Sequence, residues 1–351
     1  MKKHLKKIVR KLDIQDKSEF DFVLNQSERI TKLQFIDFNK FIQNLTQEDF
    51  MLYPNTENLK EKLSEFYEVN TDELFLCAGS DVGIKAVFET FTDGGRVVTT
   101  DPSFPMYKVY SELYQCEYFG IPHEENRHTI STEKILSNIT DNTDLVILAN
   151  PNSPMGEYKS FDEIEIILQQ GVPVLIDEAY IEFVNERNCE NFSDTLVKKI
   201  NEYPNLIVTR TFSKAFGAAG CRVGMVFSNK KNIELISKFR QMYEVSGVSA
   251  KYCEFLLDNY GLTQQYLLEV EREKEKVKYM LSHFDVIDSF ANWIHFNTED
   301  DNKKIKKILE DYNVLVKWCT IPHDDRKNWC RLTIAPGITD EEFFDEVRDA
   351  T

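Results

Sequence analysis

One stretch of the chain places a lysine and an arginine close to hydroxylated and small residues. It covers residues 205–224 and reads NLIVTRTFSKAFGAAGCRVG. An apolar run ends at Thr211, and Ser213, Lys214 and Arg222 follow it. Hydroxyl groups and an arginine fork bind phosphate, and a lysine amine is a nucleophile once burial or nearby positive charge lowers its pKa. The stretch therefore indicates a site for an anion beside a reactive amine.

Three other polar segments follow apolar runs. Residues 78–83 (AGSDVG) form a glycine turn that opens a helix, and the backbone N–H groups of such a helix start favour phosphate. Residues 101–105 (DPSFP) contain Phe104, which either stacks on a flat ring or belongs to the core. Residues 150–156 (NPNSPMG) form a rigid turn that presents amide side chains. Each segment alone has an ordinary structural explanation, but together they indicate one site.

An acid also stands directly after the apolar run 174–176, in the sequence VLIDEAY. A buried carboxylate is costly unless a cation compensates it. A protonated pyridine nitrogen would be such a cation, and so would a lysine or arginine of the protein. Asp177 is thus a candidate for either pairing, and Tyr180 stands three residues further on.

Alternating strands and helices position these segments. The predicted strands cover residues 74–78, 97–100, 117–121, 145–149, 172–176, 206–211 and 225–227. The predicted helices between several of them cover residues 82–91, 106–114, 132–139 and 161–170. This order predicts an α/β fold with three layers, a mostly parallel seven-stranded sheet with helices on both faces. Sites in such sheets lie beyond the carboxyl ends of the strands, where the polar segments fall.

A second pattern begins after about residue 230 and predicts a smaller α+β domain. Its predicted strands cover residues 286–287 with 293–296, 314–318 and 330–334, and its predicted helices cover residues 232–243, 251–259, 262–283, 303–312 and 340–347. We predict an N-terminal arm or small-domain segment over 1–35, a large cofactor-binding domain over 36–235 and a small domain over 236–351. Residues 1–12 predict a basic helix, either a membrane-surface helix or, as we favour, a short helix that docks on its own protein.

Composition limits the functions that the chain can have. Its net charge of -17 argues against a nucleic-acid binder, which needs a basic surface. Seven scattered cysteines without a CxxC pair indicate a reducing compartment, and the spacing of Cys319, His323 and Cys330 fits no common zinc site. No apolar run reaches the roughly 20 residues of a membrane span, and the basic N-terminus lacks the apolar core of a signal peptide. We predict a cytoplasmic protein without a metal.

The motifs resemble those of the fold type I pyridoxal-phosphate aminotransferases of class I/II, and most closely the histidinol-phosphate aminotransferase group. The resemblance covers the chain from about residue 53 onwards. It is strongest at residues 176–180 (IDEAY) and 211–224 (TFSKAFGAAGCRVG). The spacings also agree with this family, since Arg222 follows Lys214 by eight residues.

The resemblance implies a role for each of the candidate residues. Lys214 would bind pyridoxal 5'-phosphate as a Schiff base and shuttle the proton, and Asp177 would keep the pyridine nitrogen protonated so that the ring withdraws electrons. Tyr180 would bind the ring hydroxyl, and Phe104 would stack on the ring. The residues implied to contact the phosphate are Gly79, Ser80, Asp81, Thr211, Ser213 and Arg222.

The resemblance also implies a homodimer and a substrate site. Tyr53 matches a tyrosine that reaches the phosphate of the neighbouring subunit in relatives, so the active site would be shared between two copies. Arg331 matches the arginine that binds the substrate α-carboxylate through two parallel contacts.

The sequence departs from the family pattern at three places. Ser153 replaces the asparagine that often binds the ring hydroxyl, so that Asn152 or Ser153 must serve. The segment around Asn39 replaces an N-terminal motif that shapes the substrate pocket. Lys317 replaces a frequent arginine, and it would meet a substrate phosphate as a point charge.

These motifs suit three functions. The first is an aminotransferase that moves an amino group from an amino acid to a keto or phosphorylated carbonyl substrate. We expect glutamate to be the amino donor. The second is a decarboxylase of a phosphorylated amino acid, because the choice depends on which Cα bond stands perpendicular to the ring. The third is a cofactor-binding regulator without catalysis, which would need an additional DNA-binding module with a basic segment. We favour the aminotransferase.

Overall fold

A computed structural model describes residues 22–24, 38–124, 129–185, 196–239, 242–298, 302–319, 321 and 328–350. The strands are β1 (Phe22–Val23), β2 (Leu74–Cys77), β3 (Arg96–Asp101), β4 (Glu117–Pro122), β5 (Thr143–Ala149), β6 (Val174–Asp177), β7 (Leu206–Thr211), β8 (Gly224–Ser228), β9 (Asp285–Ile287), β10 (Trp293–Asn297), β11 (Val314–Leu315), β12 (Lys317–Cys319) and β13 (Trp329–Thr333). The α-helices are α1 (Phe38–Ile42), α2 (Glu48–Met51), α3 (Glu57–Tyr67), α4 (Ser80–Phe91), α5 (Met106–Leu113), α6 (Thr132–Leu136), α7 (Phe161–Leu168), α8 (Lys230–Ile236), α9 (Gly247–Asp258), α10 (Tyr260–Met280), α11 (Asn302–Asp311) and α12 (Glu342–Arg348).

The larger sheet has seven strands in the order β2-β8-β7-β6-β5-β3-β4. Neighbouring strands are parallel from β7 through β6, β5 and β3 to β4, whereas β8 is antiparallel to both β2 and β7. The predicted mostly parallel seven-stranded sheet is confirmed. Because the parallel strands end at the same edge, the segments that follow them are brought together.

Both faces of this sheet are buried, since successive side chains of a strand point to opposite faces. In β5, Val146 and Leu148 pack with the helices α3, α6, α7 and α9, whereas Leu145 and Ile147 pack with α4, α5 and α8. Near-continuous apolar runs in the central strands are the consequence. The three layers that the sequence predicts are therefore present.

The smaller sheet is antiparallel, with the order β12-β13-β10-β9. It packs against α10, α11 and α12 around a second core, which includes Phe296, Ile305 and Phe344. The predicted single strand over 314–318 is wrong, because the chain there forms two strands in different sheets. β11 pairs in parallel with β1, and β12 pairs with β13 after the chain passes the buried Val316.

Some predictions concern residues outside the described ranges. The basic helix over residues 1–12 and most of the N-terminal arm lie there, although β1, α1 and α2 are described. Phe41 of α1 packs on the ring of Tyr252 in α9, with 4.8 Å between ring centroids. The predicted domain boundaries stay a prediction.

Among the residues that the structure describes, no helix has both the length and the apolar character of a membrane span. The same ranges contain no group of three or more His, Cys, Asp or Glu side chains that could hold a metal ion. His323, considered above for a zinc site, lies outside the described residues.

A buried ion pair joins the ends of β6 and β7. Arg210 donates from Nε to Oε2 of Glu178 at 2.7 Å, and both side chains are almost fully buried. The guanidinium also lies 4.9 Å from the ring centroid of Tyr67. In the backbone, Glu178 N–H donates to the carbonyl of Thr209 at 2.8 Å. These contacts fix the two strand ends that carry Asp177 and lead to Lys214.

Replacing Arg210 by Met should strongly destabilise the protein, because the buried carboxylate of Glu178 would lose the guanidinium that it contacts. We expect the free energy of unfolding to fall by about 3 kcal/mol. The matched control is Lys198→Met, which removes a surface ion pair to Glu68 and should cost less than about 1 kcal/mol. Urea unfolding measures both, and equal losses in the two variants would contradict a structural role for the buried pair.

Candidate active site

The carboxyl ends of β3, β5 and β6 form one continuous edge. Asn150, directly after β5, donates its backbone N–H to the carbonyl of Asp177 at the end of β6, at 2.9 Å. The side chain of Asn152 donates to Thr100 Oγ1 in β3 at 2.9 Å. The turn 150–156 thus links the ends of three strands, and the predicted segments around it lie together.

Asp177 is a deeply buried acid of this edge. Its side chain is 5% exposed, and it accepts hydrogen bonds from the hydroxyl of Tyr107 at 2.7 Å and of Thr209 at 3.1 Å. Burial raises the pKa of Asp177 above its ordinary value, and the two hydroxyl donors oppose that rise. Asp177 makes no ion pair with any residue that the structure describes. The carboxylate is therefore placed to compensate a cation that the described part of the protein does not supply.

The sequence motifs did not reveal the two hydroxyl donors to Asp177. Tyr107 of α5 lies three residues after Phe104, and Thr209 lies two residues before Thr211 on the same face of β7. The second spacing was an available signal, because alternate residues of a strand lie on the same face. Neither spacing shows that the hydroxyl reaches a carboxylate on another element.

Lys214 lies half-buried just beyond the end of β7. Its Nζ is 5.3 Å from the ring centroid of Tyr180, which is itself buried. Thr211 and Ser213 are joined by a hydrogen bond of 3.0 Å between their hydroxyl oxygens. Thr211 also pairs with Gly224 at the start of β8. The amine, the phenol and the two hydroxyls thus occupy one end of the sheet.

The structure forms a narrow cradle where α4 begins. A Cβ on Gly79 would lie 2.5 Å from Nη2 of Arg222, and a Cβ on Gly224 would lie 2.2 Å from the backbone nitrogen of Ser80. Gly79 has a φ of 87°, which glycine adopts without strain. The absence of a side chain at Gly79 permits the arginine to lie against the helix start, and its absence at Gly224 permits the two backbones to approach each other. The first backbone N–H groups of α4 and the guanidinium together favour an anion.

Asp81 and Phe104, which the resemblance assigns to the cofactor, both have side-chain neighbours within the protein. The carboxylate of Asp81 accepts a hydrogen bond from the hydroxyl of Tyr110 at 2.8 Å, so its backbone N–H is the group that suits an anion. Phe104 is half-buried and packs edge-on against Tyr107, with 5.6 Å between centroids. Phe104 therefore lies beside the residue that holds Asp177.

The side chain of Asn152 is engaged inside the protein. Besides its bond to Thr100, it accepts a hydrogen bond from the backbone N–H of Met155 at 3.1 Å. Asn152 is 3% exposed, whereas Ser153 is half-buried. Asn152 thus holds the turn together, and Ser153 is the more accessible of the two.

The substrate candidates on the small sheet lie side by side. Arg331 in β13 pairs with Lys317 in β12 and with His295 in β10. Arg331 is 6% exposed, and its guanidinium carbon lies 5.3 Å from the ring centroid of Trp293. Lys317 is exposed. Two cationic side chains therefore stand on neighbouring strands, one fixed and one open to solvent.

Tyr53 and Asn39 lie on the surface. Tyr53 is 80% exposed and stacks on Tyr243 at 4.5 Å between centroids. Asn39 is an exposed residue of α1, the helix that packs on α9. Both residues thus belong to elements outside the edge that the strand ends form.

The residues fit pyridoxal phosphate. The cradle that a Cβ on Gly79 would fill suits a phosphate, and the buried Asp177 suits a ring nitrogen that carries a proton. Lys214 follows β7, the strand that lies between β6 with Asp177 and β8 with Gly224. The donor set therefore matches both ends of the cofactor that the resemblance implies, with the amine between them.

Asp177→Asn should stabilise the cofactor-free protein near neutral pH. Because burial raises the pKa of Asp177 above 3.8, its ionised form costs stability once the pH exceeds that value. We expect a higher melting temperature for the variant near neutral pH and a smaller difference as the pH falls toward the ordinary aspartate range. Asp101→Asn, at an exposed aspartate, is the control. A lower melting temperature of Asp177→Asn near neutral pH would contradict the account.

Comparisons with known proteins agree with this geometry. Residues 28–346 match the model of the family described as aminotransferase class I and II. The histidinol-phosphate aminotransferase of Francisella philomiragia is 31% identical over 278 residues, which cover 74% of this chain and 75% of the relative. The resemblance that the motifs indicate is confirmed.

Solved structures show the same fold. The histidinol-phosphate aminotransferase of Sinorhizobium meliloti, in complex with pyridoxal-5'-phosphate, has a TM-score of 0.78 at 18% identity and covers 94% of this chain and 90% of its own. The L-threonine-O-3-phosphate decarboxylase of Porphyromonas gingivalis has a TM-score of 0.77 at 20% identity. The match covers 93% of this chain and 98% of the decarboxylase. With the family match over most of its length, the chain belongs to the aminotransferase class I and II family.

Proposed function

We propose that the protein is a pyridoxal-phosphate-dependent aminotransferase that moves an amino group from glutamate to a keto or phosphorylated carbonyl substrate. The observation that carries the proposal is the buried Asp177 and the nearby Lys214, at the ends of neighbouring strands, in a chain of this family. The curated relative from Francisella philomiragia is a histidinol-phosphate aminotransferase, which supports a phosphorylated acceptor.

Lys214 and Asp177 would carry the central roles. When bound, pyridoxal phosphate supplies a ring that stabilises negative charge left at the substrate Cα. The amine of Lys214 holds the cofactor covalently and then takes and returns the Cα proton. Asp177 keeps a proton on the ring nitrogen, and Tyr180 donates a hydrogen bond to the ring hydroxyl.

The phosphate would be held by the cradle at the start of α4. Arg222 would bind the phosphate through its guanidinium, together with the backbone N–H groups of Ser80 and Asp81 at the helix start. The hydroxyls of Thr211 and Ser213 complete the set. The two glycines of the cradle would serve by letting Arg222 lie against Gly79 and letting the start of β8 lie against the start of α4.

The ring would be held by residues next to Asp177. Phe104 would cover one face of the ring, since it packs beside Tyr107, which donates to Asp177. The side chain of Asn152 already forms hydrogen bonds with Thr100 and Met155, so that Asn152 would act by holding the neighbouring Ser153 in place.

Arg331 and Lys317 would bind the anionic groups of the substrates. Arg331 is buried, so that its guanidinium is held in one place and can orient a carboxylate. Lys317 is exposed on the neighbouring strand, which suits a phosphate of variable position. Asn39 is the least constrained of the substrate candidates, because it is an exposed residue of α1 and belongs to neither sheet.

We further propose that the active unit is a homodimer in which Tyr53 reaches the site of the partner. Large apolar side chains around Tyr53 are exposed by about two thirds or more: Phe50 69%, Met51 71%, Leu52 66% and Tyr53 80%. Such a run on a surface is typical of a protein contact. A second copy would cover it.

The domain boundaries and the location belong to the same proposal. The large sheet would form the domain 36–235, and the small sheet with its helices the domain 236–351, with residues 1–35 as the arm. A cytoplasmic location is supported by the scattered cysteines and the composition.

Glutamate should convert the bound cofactor to its pyridoxamine form, with release of an equal amount of 2-oxoglutarate. The absorbance of the bound cofactor follows this half-reaction. Lys214→Ala should lose the covalent link to the cofactor, whereas the control Lys317→Ala should keep it. Release of carbon dioxide from a phosphorylated amino acid without that conversion would favour the decarboxylase instead. A covalent link that survives in Lys214→Ala would overturn the assignment.

Mixing two inactive variants should restore activity if the site is shared. Lys214→Ala lacks the amine, and Tyr53→Ala lacks the tyrosine that the partner needs. A mixed dimer contains one site with both residues, so that we expect about a quarter of wild-type activity after exchange of subunits. Aminotransferase activity before and after mixing measures this recovery. If mass spectrometry shows that the subunits have exchanged and no activity returns, a shared site is contradicted.

A further inference from the structure

Trp293 lies where the small sheet meets the turn 150–156 of the large sheet. It is the first residue of β10 and is fully buried. Its indole Nε1–H donates to the carbonyl of Pro154 at 2.9 Å. A buried indole needs such a partner, and this one belongs to the segment beside the proposed cofactor site.

The same ring contacts two residues of the proposed active site. Its centroid lies 4.8 Å from that of Tyr180, at an interplanar angle of 83°. The guanidinium carbon of Arg331 lies 5.3 Å from the Trp293 centroid, within the range of a cation–π contact. Trp293 pairs with Thr333, two residues from Arg331, so both side chains lie on one face of the sheet.

A second contact holds the loop before Trp293 on the same turn. Phe290 donates its backbone N–H to the carbonyl of Gly156 at 2.9 Å. A Cβ on Gly156 would lie 2.1 Å from Oγ of Ser289, so the two segments touch closely. The buried Lys274 of α10 donates to the carbonyl of Ser289 from another side. The loop that leads into Trp293 is therefore fixed by two elements.

We propose that Trp293 is a positioning residue that holds Arg331 in the place where it binds the substrate carboxylate, an inference that rests on the proposed function. It holds Arg331 through its ring, Tyr180 through an edge contact and the large sheet through its indole N–H. Without it, Arg331 would keep its charge but lose a contact that fixes its place. Binding of the carboxylate then weakens, whereas binding of the cofactor does not.

Kinetics of the loaded enzyme with glutamate test the proposal. Trp293→Leu removes the ring and the N–H, and we expect a rise of about tenfold in KM for glutamate with kcat little changed. Trp293→Phe keeps a ring but removes the N–H, and we expect a rise of about threefold. The control Phe296→Leu changes a buried side chain of the same strand on the opposite face, and its KM should stay that of the wild type.

Calorimetric binding of succinate, a dicarboxylate that lacks an amine, gives a second readout. Its affinity should fall in the order wild type, Trp293→Phe, Trp293→Leu, with the dissociation constant of the cofactor unchanged. Unchanged KM and succinate affinity in Trp293→Phe and Trp293→Leu, or equal losses in Phe296→Leu, would overturn the proposal. If Trp293→Leu does not fold, Trp293→Phe decides alone. If the wild type itself does not react with glutamate, the proposed function fails instead.

Discussion

The buried carboxylate of Asp177 is the constraint on which the rest of the site depends. A charge in the interior is unfavourable unless a cation or hydrogen-bond donors compensate it. Tyr107 and Thr209 supply two donors, but the described residues place no cation against Asp177. The protein thus keeps a costly group at a strand end, which is the usual sign of a functional residue.

The surrounding structure fixes this group from several sides. Glu178 and Arg210, which follow Asp177 and Thr209 along the chain, form a buried ion pair that holds β6 and β7 together. The cradle, which suits an anion, lies between the end of β2 and the start of β8, on the other side of β7 from β6. The small sheet adds Trp293 with its cationic neighbour. A rigid frame of this kind keeps reacting groups in place at the moment of reaction.

Much of the fold and of the site could be predicted from the sequence. The strand over 206–211 was predicted with the bounds that the structure has, because a run of apolar residues ended at a polar motif. The strand over 314–318 was wrong, since nothing local signals that the chain changes sheets at Val316. Tyr107 and Trp293 were missed because their partners, Asp177 and Pro154, are distant in sequence.

The most direct measurement of the central claim is the protonation of the cofactor ring nitrogen. Nuclear magnetic resonance of the protein loaded with nitrogen-15-labelled pyridoxal phosphate reports it. A buried, ionised Asp177 predicts a protonated ring nitrogen near neutral pH in the wild type and an unprotonated one in Asp177→Asn. An unprotonated nitrogen in the wild type, or the same protonated state in both proteins, would contradict the account.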